Sequence, residues 1–225
     1  MVFLSNPKQI QIQYVVLSKL LDDWSLFETA LLPITIDAIL IILFMLVHSL
    51  MRSSIVKSFW DKLGLASLER CIYNLSTAAT ILFLVNKWQS IPTVTLWNIS
   101  LERNSVLYWA YLGIHAISWI IIYGGSVIMD FPELTGVKQV YYDFNKLLSP
   151  IKYKSRDLIR LYEHIRHPSF IGFTAILWFP NVMSLDRLLL ASLWTIYMYI
   201  GWNTDAQDVA YQREQLRRKK FELLH

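Results

Sequence analysis

Residues 31–50 read "LLPITIDAILIILFMLVHSL", and this stretch decides the class of fold. It contains one acidic residue, Asp37, and one histidine, His48, in a run that is otherwise almost entirely apolar. An α-helix of about 20 apolar residues crosses the hydrocarbon core of a bilayer, which is roughly 30 Å thick. The stretch therefore predicts a transmembrane helix.

Four further apolar runs follow along the chain, at 71–88, 105–129, 169–183 and 188–202. Only "PNVMSLDR" joins the last two runs, so they are predicted to form a tight antiparallel hairpin. Pro180 is expected to end or kink the first helix of this hairpin, because proline lacks a backbone donor. The predicted fold class is all-α: a polytopic membrane protein with about five transmembrane helices, including a helical hairpin in the C-terminal half.

The composition agrees with a membrane solvent. Of 225 residues, 55% are apolar and only 17% are charged, whereas soluble domains carry about 25% charged residues. The single cysteine, Cys71, excludes an internal disulfide framework. We predict one integral domain over 1–225, with a lumenal or interfacial segment at 1–30, a transmembrane core at 31–202 and a basic tail helix at 203–225.

The basic residues predict the orientation of the protein in the membrane. Sixteen of the 21 lysines and arginines fall in 51–70, 130–168 and the tail. Basic loops stay on the cytoplasmic side, so these segments are expected to face the cytoplasm or nucleoplasm. Five spans then place the N-terminus in the lumen, which is unusual without a signal sequence, so we expect that a further N-terminal span is missing from this sequence.

The stretch "EHIRHPSFIG", residues 163–172, has two interpretations. As a helix boundary, it places Pro168 at the first helical position and lets Arg166 and His167 meet lipid phosphates. As one wall of a site, it brings a forked guanidinium donor to a helix start, and both features favour an anion.

The opposite wall of such a site would come from "GWNTDAQDVAYQREQL", which the hairpin returns to the same membrane face. Asp205 and Asp208 are three residues apart and share one face of a helix. Together with Arg166 and His167 they would form a pocket for a zwitterion. The boundary and the pocket both remain open on sequence alone.

Other side chains favour structural roles. An ionisable group inside a span is costly unless it is paired, which makes Asp37 a candidate functional residue. The structural alternatives are a buried hydrogen bond, to polar groups of neighbouring spans such as Asn74 or His115, or a protonated acid. Gly124 and Gly125 are expected to permit close helix packing. The five histidines are too few for the histidine boxes of di-iron enzymes, and no metal site is predicted.

"RHPSFIG", residues 166–172, resembles the RHPxYxG signature of isoprenylcysteine carboxyl methyltransferases. The resemblance implies S-adenosylmethionine bound between a transmembrane hairpin and a C-terminal amphipathic helix. Phe170 replaces the tyrosine of the signature, and Gln215 and Leu216 replace the Phe-Gly pair of the family's tail pattern. The cofactor-binding residues that the resemblance implies are Arg166, His167, Phe170, Asp205 and Asp208.

A second resemblance covers the chain from about residue 31 to its end. The motifs that carry it are "HSLM" at 48–51, "GVKQVYYD" at 136–143, "RHP" at 166–168, "DRLLLA" at 186–191 and "DAQDVAY" at 205–211. They resemble the nurim family, which consists of multispanning proteins of the inner nuclear membrane that are similar in fold to those methyltransferases. The resemblance implies the inner nuclear membrane as the location, with the endoplasmic reticulum as the alternative, and it usually implies one more N-terminal span.

Two functions therefore remain open. One is a nonenzymatic envelope protein with a methyltransferase-like fold, a degenerate cofactor pocket, no established cofactor and no established reaction. The other is an S-adenosylmethionine-dependent methyltransferase acting on a lipid or a prenylated-cysteine carboxylate. No catalytic residue is assigned in either case.

The expected partners are membrane lipids. The basic tail "REQLRRKKFELLH" predicts a solvated helix face, with anionic lipid or the nuclear lamina as the alternative contact. The basic run is short and includes Glu214 and Glu222, so no specific nucleic-acid binding is predicted.

Overall fold

A computed structural model of the chain describes residues 2–5, 7, 15–16, 24–101, 104–156, 158–159, 169–201, 209–210, 213–217 and 220–221. Helices dominate these residues, and three short strands form one sheet. The α-helices are α1 (Val2–Ser5), α2 (Trp24–Arg52), α3 (Ser54–Lys62), α4 (Glu69–Lys87), α5 (Ser105–Ile128), α6 (Phe131–Thr135), α7 (Val137–Phe144), α8 (Phe170–Trp178) and α9 (Leu185–Gly201). The 3-10 helices are Ala66–Leu68 and Pro150–Tyr153, and the strands are β1 (Val15–Val16), β2 (Val94–Asn98) and β3 (Val182–Ser184).

Three helical stretches in the described residues are long and apolar enough to cross a membrane: Phe27–Arg52, Ala66–Lys87 and Ser105–Ile128. They confirm the predicted class of a helical membrane protein and correspond to the first three predicted spans. The fourth and fifth predicted spans correspond to α8 and α9, which have 9 and 17 residues in the described part of the chain. The total of five spans therefore stays a prediction.

The predicted hairpin is formed by α8 and α9, which pack on each other. The indole nitrogen of Trp178, at the end of α8, donates to Thr195 Oγ1 on α9 across 2.9 Å. α8 ends two residues before Pro180, as predicted, because the residue before a proline is sterically excluded from the helical conformation. A proline inside α2, Pro33, is compatible with a membrane helix.

The hydrophobic core lies where α2, α4, α8 and α9 meet. Its buried residues are Leu40, Ile41, Phe44, Leu84, Leu177, Leu190 and Ala191. α5 packs outside this core against α8. Many large apolar side chains point outward, among them Val106 and Ile128, which is the arrangement expected where lipid rather than water surrounds the helices.

The small sheet was not predicted. β1 pairs in parallel with β2, and β2 pairs antiparallel with β3 through Thr95 and Ser184, Trp97 and Met183, and Asn98 and Val182. All three strands lie at the ends of spans opposite the 53–65 connector, so the sheet covers the less basic end of the helices. It satisfies backbone groups in loops that enter the protein, where water is not available to do so.

Candidate functional site

The predicted cofactor residues are only partly covered by the structure. Arg166, His167, Asp205 and Asp208 lie outside the described residues. Phe170 is described: it is the first residue of α8 and is partly buried. The meeting of the Arg166–His167 and Asp205–Asp208 pairs therefore stays a prediction.

The position of α8 is set by a close crossing with α5. A Cβ atom at Gly172 would lie 2.6 Å from the carbonyl oxygen of Ser118 and 2.8 Å from Ile122 Cγ1. Only a glycine permits this approach of the two helices. A Cβ atom at Gly124 would meet no atom within 4 Å, so the described residues show no close packing at this glycine. The expected packing role of Gly125 stays a prediction.

A polar aromatic cluster joins α2, α4 and α9 near their basic ends. Tyr73 Oη lies 2.8 Å from His48 Nε2, and Thr77 Oγ1 lies 3.2 Å from His48 Nδ1. Ser49 Oγ lies 3.0 Å from the hydroxyl of Tyr197, whose ring packs edge-on against the imidazole of His48 at 6.0 Å. We call His48, Ser49, Tyr73, Thr77 and Tyr197 the histidine cluster.

The Tyr73 hydroxyl reaches both ring nitrogens of His48, at 2.8 Å from Nε2 and 3.2 Å from Nδ1. Thr77 Oγ1 also donates its hydrogen to the carbonyl oxygen of Tyr73 across 2.8 Å. The imidazole is thus held by a phenol inside a membrane helix, where polar groups often mark function. The signal in the sequence was His48 itself, in an apolar run.

Two fully buried carboxylates hold the connection that leaves α4. Asp37 Oδ1 accepts from the backbone N–H of Gln89 across 2.8 Å. Asp186 accepts from the indole of Trp88 at 2.9 Å and from the backbone N–H of Ile91 at 3.1 Å. These bonds tie the turn after α4 to α2 and α9.

Both predicted partners of Asp37 were wrong, although a buried hydrogen bond is present. Asn74 Nδ2 donates to the carbonyl oxygens of Arg70 and Leu134, each across 2.9 Å. His115 lies with Nδ1 2.8 Å from Ser5 Oγ and Nε2 3.2 Å from the Phe179 carbonyl oxygen. The actual partner is a loop amide, which carries no side-chain signal in the sequence.

The same end of the molecule binds the short N-terminal helix α1. Arg187 donates from its guanidinium to the carbonyl oxygens of Phe3, at 3.1 Å, and Leu4, at 3.3 Å. Ser5 Oγ also accepts from the indole of Trp119 across 2.8 Å. The partly buried guanidinium of Arg187 thus satisfies backbone carbonyl groups of α1.

At the basic end, an ionic network joins α6 to α7 and to Lys154. Glu133 is buried, and its carboxylate lies 2.6 Å from Lys154 Nζ. Lys138 donates to Asp130. The hydrogen bond from Lys138 lowers the pKa of the Asp130 carboxyl, and the hydrogen bond to Asp130 raises the pKa of the Lys138 ammonium.

Gly136 lets the segment from α6 to α7 approach the start of α4 closely. Its φ of +90° is left-handed, and a Cβ atom there would lie 2.7 Å from the backbone nitrogen of Cys71. Arg70 donates to the Glu133 carbonyl oxygen across 3.2 Å, on the same turn of α4. The segment from α6 to α7 is therefore fixed at the membrane end of α4.

Comparison with known proteins identifies the family. The chain is 48% identical over 223 residues to a nurim homolog of Drosophila pseudoobscura pseudoobscura, and the aligned region covers 99% of this chain and 88% of the relative. It is 46% identical to the Drosophila melanogaster nurim homolog with the same coverage, and 35% identical over 187 residues to rat nurim, covering 81% and 70%. This chain belongs to the nurim family. No family model and no solved structure matches it.

Three of the nurim motifs fall on the contacts described above. "HSLM" supplies His48 and Ser49 to the histidine cluster. "GVKQVYYD" supplies Gly136 and Lys138 to the network at the basic end. "DRLLLA" begins with Asp186, which holds the turn after α4. These three stretches of the chain are thus, in the described residues, points where helices and loops are tied together.

Among the described residues, no group of three or more histidine, cysteine, aspartate or glutamate side chains is arranged to hold a metal ion.

Proposed function

We propose that this member of the nurim family is a resident multispanning protein of the inner nuclear membrane. It keeps a methyltransferase-like helical fold around a degenerate cofactor pocket, and it carries out no methyl transfer. The observation that carries the proposal is the use of charged side chains inside the protein: buried Asp37 and Asp186 bind amides of the loop after α4, and partly buried Arg187 binds carbonyl oxygens of α1. Catalytic sites instead direct perturbed ionisable groups at a substrate.

The location and the absence of turnover are tested separately. A fluorescent fusion of the full chain should concentrate at the nuclear rim, and immunogold labelling should place it in the inner of the two membranes. Arg166→Ala should leave this retention unchanged, because the spans and loops carry it. A uniform distribution through the endoplasmic reticulum would contradict the location, and labelled methyl groups appearing in lipid or protein would contradict the absence of turnover.

A second candidate function is methyl transfer to a lipid or a prenylated-cysteine carboxylate. The histidine cluster favours it, because Tyr197 lies one turn before the end of α9 at Gly201, the segment that leads to Asp205 and Asp208. S-adenosylmethionine would supply the methyl group. Arg166 and His167 would hold its carboxylate, Asp205 or Asp208 its ammonium group or ribose hydroxyls, and Phe170 would pack near its adenine.

Calorimetry distinguishes the two candidates. The full chain in detergent is titrated with S-adenosylmethionine, with Arg166→Ala as the matched variant. The second function requires saturable binding that this substitution weakens. No heat of binding at millimolar cofactor would eliminate it.

A further inference from the structure

We propose that α3 and α7 form an interfacial platform that lies in the headgroup layer on the basic side of the membrane and binds anionic phospholipid. The platform is defined as Ser54–Lys62 together with Val137–Phe144. Both helices are amphipathic. Each leaves its apolar side uncovered by the described residues.

The position of α3 follows from the length of its connector. One candidate span ends at Arg52 and the next begins at Ala66. The residues between them must start and finish at the same membrane surface. A helix of 9 residues is about 13 Å long, so α3 lies at that surface and cannot extend far from it.

The apolar side of α3 is a stripe at helical spacing. Ile55, Phe59 and Leu63 follow one another at intervals of four residues, so they share one face. All three are exposed, Ile55 to 76%. Lys57 and Asp61 lie on the opposite face, and Lys62 lies at the edge of the stripe. A helix with this division lies flat in a membrane interface, with its apolar side toward the acyl chains.

α7 carries a second stripe at the same level. Val137, Tyr141 and Phe144 share one face, and Phe144 is 86% exposed. The height of α7 is fixed by Gly136, which meets Cys71 in the first turn of α4, and Asn74 of α4 holds the Leu134 carbonyl oxygen. Because α4 enters the membrane at this turn, the α7 stripe also faces the interface.

The charge around the platform selects the lipid. The segments 52–70 and 130–156 contain nine basic and five acidic residues. Lys138 and Lys154 are paired with Asp130 and Glu133. The exposed lysines of these segments are Lys62, Lys146, Lys152 and Lys57, the last on the opposite face of α3 with its Nζ 3.9 Å from Glu69 Oε1. Lysines at this height meet phosphate groups, and they favour headgroups with a net negative charge.

The first test measures depth. The full chain carrying Cys71→Ser is reconstituted in nanodiscs, and one fluorophore is attached at Phe59→Cys or Phe144→Cys. Nitroxide-labelled lipid should quench these positions at least twofold more than the matched positions Asp61→Cys and Asp143→Cys. Equal quenching on both faces, or quenching of positions 59 and 144 by aqueous iodide alone, would overturn the platform and indicate a protein-facing or solvated surface.

The second test measures lipid choice without relying on the labelled variants. Wild-type protein is extracted from membranes containing equal phosphatidylserine and phosphatidylcholine, and bound lipids are counted by native mass spectrometry. Replacing Lys57, Lys62, Lys146 and Lys152 by Gln should lower bound phosphatidylserine at least twofold. Lys87→Gln, at the other end of α4, should leave it unchanged. Wild-type amounts of phosphatidylserine on the fourfold variant would overturn the proposal.

Discussion

At the scale of single residues, His48 shows how a polar ring is held among apolar helices. Its imidazole lies between a phenol and a threonine hydroxyl supplied by α4, while the rings of Phe44 and Tyr197 pack against it. The hydrogen bonds lower the cost of burying the ring, which is otherwise large in a membrane. The cluster therefore contributes to the stability of the α2–α4–α9 contact.

Tyr73→Phe removes the hydroxyl that lies 2.8 Å from His48 Nε2 and keeps the ring. The loss of one such hydrogen bond is expected to destabilise the protein by about 1 kcal/mol. The free energy of unfolding in detergent, followed by denaturant titration, measures this change. Tyr199→Phe, at an exposed position of α9, is the control and should change stability by less than about 0.5 kcal/mol. Equal effects of the two variants would contradict the role assigned to Tyr73.

Gly172→Ala forces a methyl group against the backbone of α5. The nearest atom is a carbonyl oxygen at 2.6 Å, so the helices must separate, and such overpacking costs about 1–3 kcal/mol. Gly124→Ala is the matched control, since its methyl group meets nothing within 4 Å. That variant should be neutral or stabilising by up to about 1 kcal/mol. Thermal unfolding of both variants measures the difference, and a stable Gly172→Ala protein would show that the crossing can adjust.

The role of a residue could be predicted from the sequence where it depends on the residue type. It could not be predicted where it depends on which atoms the side chain contacts. Burial of Asp37 followed from its place in an apolar run, but its partner is the amide of Gln89. An amide belongs to every non-proline residue, so no sequence pattern marks this one. A packing role was likewise expected at Gly124 and Gly125; a close approach is found at Gly172 and not at Gly124, because the face of the helix on which a glycine lies decides it.

At the scale of elements, the Asp130–Lys138 ion pair ties the start of α6 to α7, and this contact depends on pH. The lowered pKa of Asp130 means that its contribution is present above the ordinary value of 3.8 and is lost as pH falls through the folded value. The raised pKa of Lys138 means that its contribution is present below 10.5 and is lost as pH rises through the folded value. The pair should thus contribute a constant amount to the free energy of unfolding between about pH 5 and pH 9.

A double-mutant cycle with Asp130→Asn and Lys138→Met measures this contribution. Both side chains are about a quarter exposed, at 25% and 28%, so the coupling at pH 7 is expected to be about 0.3–1 kcal/mol. At pH 3 it should be smaller, because below the ordinary pKa of 3.8 the Asp130 carboxyl takes up a proton in the unfolded state, whereas its lowered pKa keeps it charged longer in the folded state. An unchanged coupling energy at pH 3 would show that the charge of the Asp130 carboxylate does not produce the coupling to Lys138.

Elements were predicted in proportion to their length. The three longest helices follow from long apolar runs, because a helix satisfies the backbone hydrogen bonds of such a run within the membrane. The sheet was missed, since β2 has 5 residues and β3 has 3, and its strands come from distant parts of the chain. Strand pairing of this kind depends on tertiary context more than on local preference.

At the scale of the whole molecule, the arrangement of basic residues predicts which ends face the cytoplasm or nucleoplasm. On a Cys71→Ser background, Asn145→Cys lies at the basic end and Ser100→Cys beyond β2, and both positions are exposed. An impermeant maleimide added to cells with a permeabilised plasma membrane should label position 145 and leave position 100 unlabelled until the internal membranes are opened. The reverse pattern would contradict the orientation.

The order of the strands has a consequence for synthesis. β2 has a complete set of neighbours only after β3 has been made, more than eighty residues later. At about 5–20 residues per second, translation of that interval takes roughly 4–17 s. During this time the edge of β2 that later pairs with β3 has unpaired backbone groups, beside helices already inserted in the bilayer. Truncations or slow codons between the two strands should therefore expose the nascent chain to chaperones and degradation on that side of the membrane.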